Sequence, residues 1–385
     1  MFCYIKPKEK SVSGGDYISI QLINHLQKNF KNKKNLQYKN LFIFKKKDAE
    51  INSKRNSNIF FNRNYVKFIA LINYLPKVYS LINSVNNLKE NYKFIIFSHY
   101  LTIFPALILQ KLGFKIIFFV QSLEWEYCDN IFSKNIVKFL IKKSFIKSNL
   151  LIFTNEFLKQ EFERNFLKKS IITSFSRKIK NKSFIYPIWT NCKNLNEKNK
   201  VFHDRPIDIL ICLRYGFVKA PDLYHNFIKL ITEIDSNLNV VAFCPLNFED
   251  KRFNSLKFDL KRNLTRDQIC KLYSSSKIFI CLSRFEGFGL TALESMFFGA
   301  IPVLIDNGGC WNYMNLFPDL VLSKQISLKD FTFKVLSLLR DETNNQNLSN
   351  EVFNFARKSQ DKIFEQQDLS IKTINKFMIS NDYYI

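Results

Sequence analysis

Apolar residues in this chain follow two alternating rhythms. Short, mostly apolar runs cover Phe94–Ser98, Phe114–Val120, Leu150–Thr154, Ile207–Leu213, Val240–Phe243 and Ile278–Leu282, the pattern of buried strands. Between them, apolar positions recur every three or four residues. That spacing predicts helices after Pro105 and over Phe132–Lys147, Glu156–Phe166, Pro221–Ile234, Thr265–Tyr273 and Leu290–Phe298. Weaker strand candidates are Phe2–Ile5, Leu41–Phe44, Ser183–Ile188, Pro302–Ile305 and Val321. Further helices are expected from Asp16 to about Gln27 and over Tyr65–Val85, Leu328–Leu339, Leu348–Phe364 and Ile371–Phe377. Strands and helices that alternate in this way predict parallel sheets covered by helices.

The alternation breaks at residues 191–205, which are polar and lack an apolar period, and then restarts. The expected organisation is an α/β chain with one βα domain over 1–190, a linker over 191–205 and a second βα domain over 206–366. Residues 367–385 form a terminal helix and tail. Two such domains would face a cleft, with ligands at the carboxyl ends of the strands. A length of 385 residues and a hydrophobic content of 46% suffice for two cores. The abundance of Phe, Lys, Asn and Ile fits an AT-rich genome, so no single Lys or Phe is singled out.

Charge changes the picture more. The net charge is +25, and residues 1–200 hold 36 Lys and Arg against 12 Asp and Glu, whereas residues 201–385 hold 22 against 21. Genome bias would load both halves alike. A basic half attracts nucleic acid, anionic lipid or a phosphorylated substrate. The eight cysteines show no metal-ligand spacing and fit free thiols in a reducing compartment. Lys6, Lys8, Glu9 and Lys10 interrupt any signal peptide, and no apolar run reaches a membrane span. A cytoplasmic location is expected, compatible with attachment to a membrane face.

Candidate chemistry concentrates between Cys281 and Gly309. A strand leads into the loop Glu286-Gly287-Phe288-Gly289, and a helix follows from Leu290 and Thr291. Glycines let backbone approach a ligand, and the helix start offers unpaired N–H groups to a phosphate. Glu286 on the loop and Glu294 about one turn into the helix could hold hydroxyls on either side of that phosphate, the layout of a nucleotide sugar. The plain alternative is a tight turn with two solvated glutamates. Arg214 and Lys219 flank the loop after Ile207–Leu213 and could neutralise a diphosphate leaving group, or be surface charges. His99 follows a strand and could meet a sugar hydroxyl or an acceptor, or be a structural histidine. Gly14 and Gly15, in the loop Ser11–Gly15, could bring backbone N–H groups to the same cleft. Neither GxGxxG nor GxxxxGK[ST] occurs. No DxD occurs either, so charge neutralisation by cations is expected in place of a metal. Helix 132–147 is basic and amphipathic, with Lys134, Lys138 and Lys142 at four-residue intervals. It suits an anionic membrane surface or packing on the sheet.

With these residues in view, the chain resembles the GT-B glycosyltransferases of the family 4 type. EGFGLTALE is similar to that family's two glutamates with seven residues between them, and SMFFGAIPV…NGG to its continuation. Arg214 and Lys219 keep the family's Arg and Lys with four residues between. SVSGG and SHY resemble its glycine loop and histidine segment; residues 30–90 match nothing in it. Leu213 and Ala220 stand where the family commonly has Gly. The resemblance implies two Rossmann-like domains. Glu294 would hold the ribose and Glu286 the transferred sugar. Backbone of Gly287, Phe288, Gly289 and Leu290, with Arg214 and Lys219, would bind the diphosphate, Thr291 and Gly15 lining the donor site. His99 would face the donor sugar. It also implies anomeric retention without a metal, and a terminal helix that crosses back to the first domain.

The expectation is a glycosyltransferase that moves a sugar from a nucleotide-diphosphate donor to a glycan or lipid-linked glycan, in surface polysaccharide or glycolipid assembly. The nucleotide sugar is its substrate, with no further cofactor. A basic first half suits a phosphate-bearing lipid acceptor at an anionic surface; no motif points to nucleic acid. The rival readings are a nucleotide-sugar epimerase of similar fold and a non-catalytic sugar-nucleotide-binding protein.

Overall fold

The structure is a computed structural model that describes residues 2–8, 14–28, 39–44, 79, 82–83, 94–99, 102–128, 130–167, 182–190, 199–245 and 248–381. The chain divides into two compact units. The first comprises Met1–Trp125, Asn130–Ile188 and Gln366–Ile385, and the second Glu126–Asp129 and Trp189–Glu365.

The first unit carries β1 (Phe2–Lys8), β2 (Lys39–Phe44), β3 (Phe94–Phe97), β4 (Lys115–Val120), β5 (Leu150–Phe153) and β6 (Ser183–Ile185). They form one parallel sheet in the order β2-β1-β3-β4-β5-β6. Helices α1 (Gly14–Lys28), α2 (Ile103–Lys111), α3 (Ile131–Lys147) and α4 (Glu156–Leu167) accompany it. β3 and β5 are buried along their whole length, which is why they read as unbroken apolar runs. Phenylalanine fills much of this core. Phe97 stacks on Phe118 at 4.7 Å, and Phe162 of α4 meets Phe118, Phe145 and Phe153. α1 begins at Gly14, so Gly15 stands in its first turn and not in a loop; Ser11–Ser13 and almost all of Tyr65–Val85 lie outside the described residues.

The second unit carries β7 (Ile207–Cys212), β8 (Val240–Cys244), β9 (Asp259–Arg262), β10 (Ser276–Cys281), β11 (Ile301–Ile305) and β12 (Val321–Leu322), all parallel, in the order β12-β11-β10-β7-β8-β9. Its helices are α5 (Pro221–Ile234), α6 (Arg266–Ser274), α7 (Leu290–Met296), α8 (Leu328–Arg340) and most of α9 (Glu342–Ser380). β9 has no apolar run because it is an exposed, charged edge strand, a common guard against edge-to-edge pairing. The two terminal helices expected over 348–364 and 371–377 are one helix, α9. Asn345, Ser349, Val352 and Ala356 are buried in the second unit, and Gln367, Ile371, Ile374 and Met378 in the first. The segment between them has no buried residue, so apolar periodicity lapses although the helix does not.

The end of the polar stretch 191–205 belongs to the second unit's body. Arg205 is 1% exposed and donates to the carbonyls of Ser276 and Phe298 and to Asn199 Oδ1. Burial without a carboxylate pulls its guanidinium down to about 10.

Candidate active site

In the second unit's sheet β7 lies between β8 and β10, so the chain runs outward from β7 in both directions. At such a switch point the loops leaving the two central strands part and open a crevice at their carboxyl ends. Those are the loops that carry the candidate residues. Arg214 and Lys219 follow β7, and Glu286–Gly289 with α7 follow β10.

The structure joins them. Lys219 Nζ donates to Glu286 Oε1 at 2.6 Å, and the two side chains are 17% and 15% exposed. Burial would lower the Lys219 ammonium, but the Glu286 carboxylate outweighs it and the net shift is upward, so the cation is secure at neutral pH. Arg214 is exposed, and the nearby Cys212 and Glu286 raise its guanidinium above its ordinary value. The β7 loop turns at Gly216, φ 111°, and ends at Ala220, φ 49°. Ala220 is left-handed at a cost of roughly 1–2 kcal/mol, which explains a glycine preference there. The loop nonetheless keeps that shape.

Arg284 fastens the two loops together. Its backbone N–H donates to Val218 O at 2.8 Å, and its guanidinium donates to Phe217 O at 2.9 Å and forks onto Asp222 at 2.9 and 2.5 Å. The same guanidinium covers the Phe217 ring at 4.7 Å. Lys219 is thereby delivered to Glu286 by a turn clamped at its base. A third segment supports the glycine loop from below. Glu286 bridges Gly308 and donates its N–H to Asn307 O at 3.1 Å. A Cβ on Gly309 would strike Glu286 O and come within 2.7 Å of Gly287 C and Phe288 N. Gly289 is at φ 84°, its carbonyl accepting from Tyr313 Oη at 2.8 Å. Leu290 and Thr291 start α7, where first-turn N–H groups have no carbonyl within the helix to bond.

Glu294 is also held, not solvated. It is 9% exposed, and Arg266 Nη1 lies 2.8 Å from Oε1. Thr190 Oγ1 donates to Oε1 at 3.3 Å and Tyr273 Oη to Oε2 at 3.2 Å. The picture of two solvated glutamates on a tight turn is therefore overturned for both. Burial pushes the neighbouring Cys281 thiol up to about 11 and Cys310 up to about 12, so both are neutral packing groups.

His99 and Gly15 lie in the first unit. There β1 is flanked by β2 and β3, so the end of β3 is likewise at a switch point. His99 follows β3, its carbonyl accepting from Thr102 N and Oγ1, and its Nε2 lies 3.6 Å from Glu124 Oε2, beyond the end of β4. Among the described residues no cluster of three His, Cys, Asp or Glu side chains is placed to hold a metal ion.

Residues 248–355, which contain Glu286 and Glu294, match the family "Glycosyl transferases group 1". Over 266 residues the chain is 27% identical to N,N'-diacetylbacillosaminyl-diphospho-undecaprenol alpha-1,3-N-acetylgalactosaminyltransferase of Campylobacter jejuni, covering 66% of this chain and 68% of that protein. The chain has the GT-B fold, and its sequence matches mark it as a glycosyltransferase. A shorter match, 44% identical over 50 residues or 13% of each chain, joins this glycosyltransferase to the GDP-mannose:cellobiosyl-diphosphopolyprenol alpha-mannosyltransferase of Xanthomonas campestris. Its fold is that of sucrose-phosphate synthase from Thermosynechococcus elongatus, with TM-score 0.68, 13% identity and 99% of each chain covered. The E. coli trehalose-6-phosphate structure bound with UDP-2-fluoro glucose gives TM-score 0.62 at 13% identity, covering 100% and 99%. Epimerase and non-catalytic readings give way to the transferase.

Sequence reasoning missed Arg284, Asp222, Arg266, Tyr273 and Thr190. Only Arg284 left a trace, as a cation two residues before Glu286.

Proposed function

We propose that this glycosyltransferase takes a nucleotide-diphosphate sugar and transfers the sugar to a lipid-linked glycan, in surface polysaccharide or glycolipid assembly. The observation that carries the donor half is the pairing of Lys219 with Glu286 at the β7–β10 switch point, with Glu294 one helical turn away. In this reading Glu294 binds the ribose diol and Glu286 the transferred sugar. Gly287, Phe288, Gly289 and Leu290 offer backbone to the diphosphate, beside Thr291. Arg214 and Lys219 neutralise the charge that develops as the nucleotide leaves. Stabilisation by two cations makes a divalent metal unnecessary. His99 is an acceptor-side group and Gly15 a further backbone contact, both in the first unit. By family resemblance the transfer retains anomeric configuration.

Two observations support a lipid-linked acceptor. The relatives are named for polyprenyl-diphosphate sugars. The first unit also exposes Ile131, Phe132, Ile136 and Phe139 on α3, a helix that carries Lys134, Lys142, Lys143 and Lys147. Its other face, Val137, Ile141 and Phe145, is buried. Apolar side chains among lysines suit the headgroup region of an anionic cytoplasmic leaflet. No described helix is long and apolar enough to cross a membrane.

The test is transfer itself. Purified protein with radiolabelled nucleotide sugars and a polyprenyl-diphosphate-linked sugar should move label into the organic phase, with and without chelator. The product anomer is read by NMR. No transfer to any lipid-linked acceptor, alongside transfer to a soluble one, would overturn the acceptor assignment. Activity abolished by chelator would overturn metal independence.

A further inference from the structure

Glu294 is a crowded acceptor. A carboxylate offers about four lone-pair positions. Here Oε1 faces Arg266 Nη1 at 2.8 Å and Thr190 Oγ1 at 3.3 Å, and Oε2 accepts from Tyr273 Oη at 3.2 Å. Arg266 Nη2 also donates to Thr190 Oγ1 at 3.3 Å. The three donors differ in freedom. Tyr273 is fully buried, its ring stacked on Phe298 at 6.0 Å, and Thr190 is 4% exposed. Neither can leave without opening the core. Arg266 is the first residue of α6, and its side chain is 46% exposed. It is long, rotamer-rich and half-exposed, so of the three it is the donor least held by the core.

A ribose hydroxyl presents an O–H donor to a carboxylate oxygen, the place that Arg266 Nη1 takes at Oε1 here. We propose that Arg266 stands in for the ribose diol. It closes Glu294 in the unliganded protein and swings out when a ribonucleotide arrives, so that displacing it is part of the energetics of donor binding. This rests on the assignment of Glu294 to the ribose. A nucleotide that lacks the diol leaves the ion pair in place and gains nothing from Glu294. Arg266 thus lowers the affinity for ribonucleotides while leaving deoxynucleotide binding alone. It is a specificity-setting residue that makes no contact with the bound donor.

Titration calorimetry tests this with UDP, GDP and their 2′-deoxy counterparts on the wild type and on Arg266→Ala, Arg266→Gln and Glu294→Ala. Both Arg266 variants should bind the ribonucleotide about threefold to fivefold more tightly, the worth of a half-exposed ion pair. Their affinity for the deoxy form should not change. Weaker ribonucleotide binding would make Arg266 a donor ligand, and unchanged binding a bystander; either overturns the proposal. Glu294→Ala should erase the preference for ribose over deoxyribose. If that variant keeps the preference, the ribose assignment has failed, whatever Arg266 does. Circular dichroism of each variant confirms that it is folded, and Arg266→Gln serves if truncation to Ala perturbs α6.

Discussion

Lys219 and Glu286 pair at 2.6 Å, so one substitution bears on both. Lys219→Ala removes the cation that the proposed donor site offers to a diphosphate and leaves Glu286 partly buried without its partner. The expected loss is about a hundredfold in kcat, the usual scale for removing one preorganised electrostatic group, read by steady-state transfer. Arg284 acts one step back. Arg284→Ala should raise the donor KM by loosening the turn that delivers Lys219. Arg284→Lys should recover little, since an ammonium cannot fork onto Asp222 while capping Phe217 O. The same clamp has a pH signature. The Arg284 hydrogen bond holds the Asp222 carboxyl below its ordinary 3.8. A depressed folded-state value stabilises the protein above the unfolded value, and that contribution fades as pH falls below 3.8. Asp222→Asn should therefore lower the denaturation midpoint near neutrality and leave it little changed at the acid end, which flattens the acid side of its dependence on pH. Glu286 and Glu294 were legible because their chemistry is local, a glycine loop and a helix start within a few residues. Arg266, Tyr273 and Arg284 were not. Each becomes a partner only when strands far apart in sequence bring it alongside, and a lone arginine in a basic chain carries no mark of that.

At the scale of elements, the βα alternation was readable nearly throughout the second unit. Buried parallel strands must be apolar, and the helices that cover them must be amphipathic. The failures share a cause as well. β9 is charged because an edge strand faces water, so it has no apolar signature. α9 reads as two helices because its middle buries nothing. The glycine loop depends on a neighbour that sequence spacing could not assign. Gly309 lies so close under Glu286 that a Cβ has no room. Gly309→Ala should push the loop upward, with a stability loss of about 1–3 kcal/mol and weaker nucleotide binding, whereas substitution at Gly216, where a Cβ meets nothing within 4 Å, costs only backbone strain. Chemical denaturation of both variants separates steric from conformational cost.

The charge of the whole molecule is unevenly divided. The basic first half and the nearly neutral second half were visible in a residue count; what α3 does with its lysines was not. Lys138 is turned onto the Trp125 ring at 5.5 Å and donates to Asn165 Oδ1, so it serves packing in addition to surface charge. Binding to phosphatidylglycerol-containing vesicles should fall steeply as salt rises, and Phe132→Ser with Phe139→Ser should weaken what remains at high salt. Co-sedimentation measures both, and salt-independent binding would contradict the electrostatic share.

α9 bears on how such enzymes can be recombined. A donor domain exchanged for another specificity needs two splice points, and one of them falls inside an unbroken helix between Glu365 and Gln366. Each residue of a helix advances its faces by about 100°. A graft that gains or loses one residue there would turn Gln367, Ile371, Ile374 and Met378 away from the pockets they fill, and His25 would lose Asp368, 2.6 Å from its Nε2. Chimeras of this scaffold are thus bound by a counting rule: the helix tolerates new sequence at the seam, but only in steps that restore its phase.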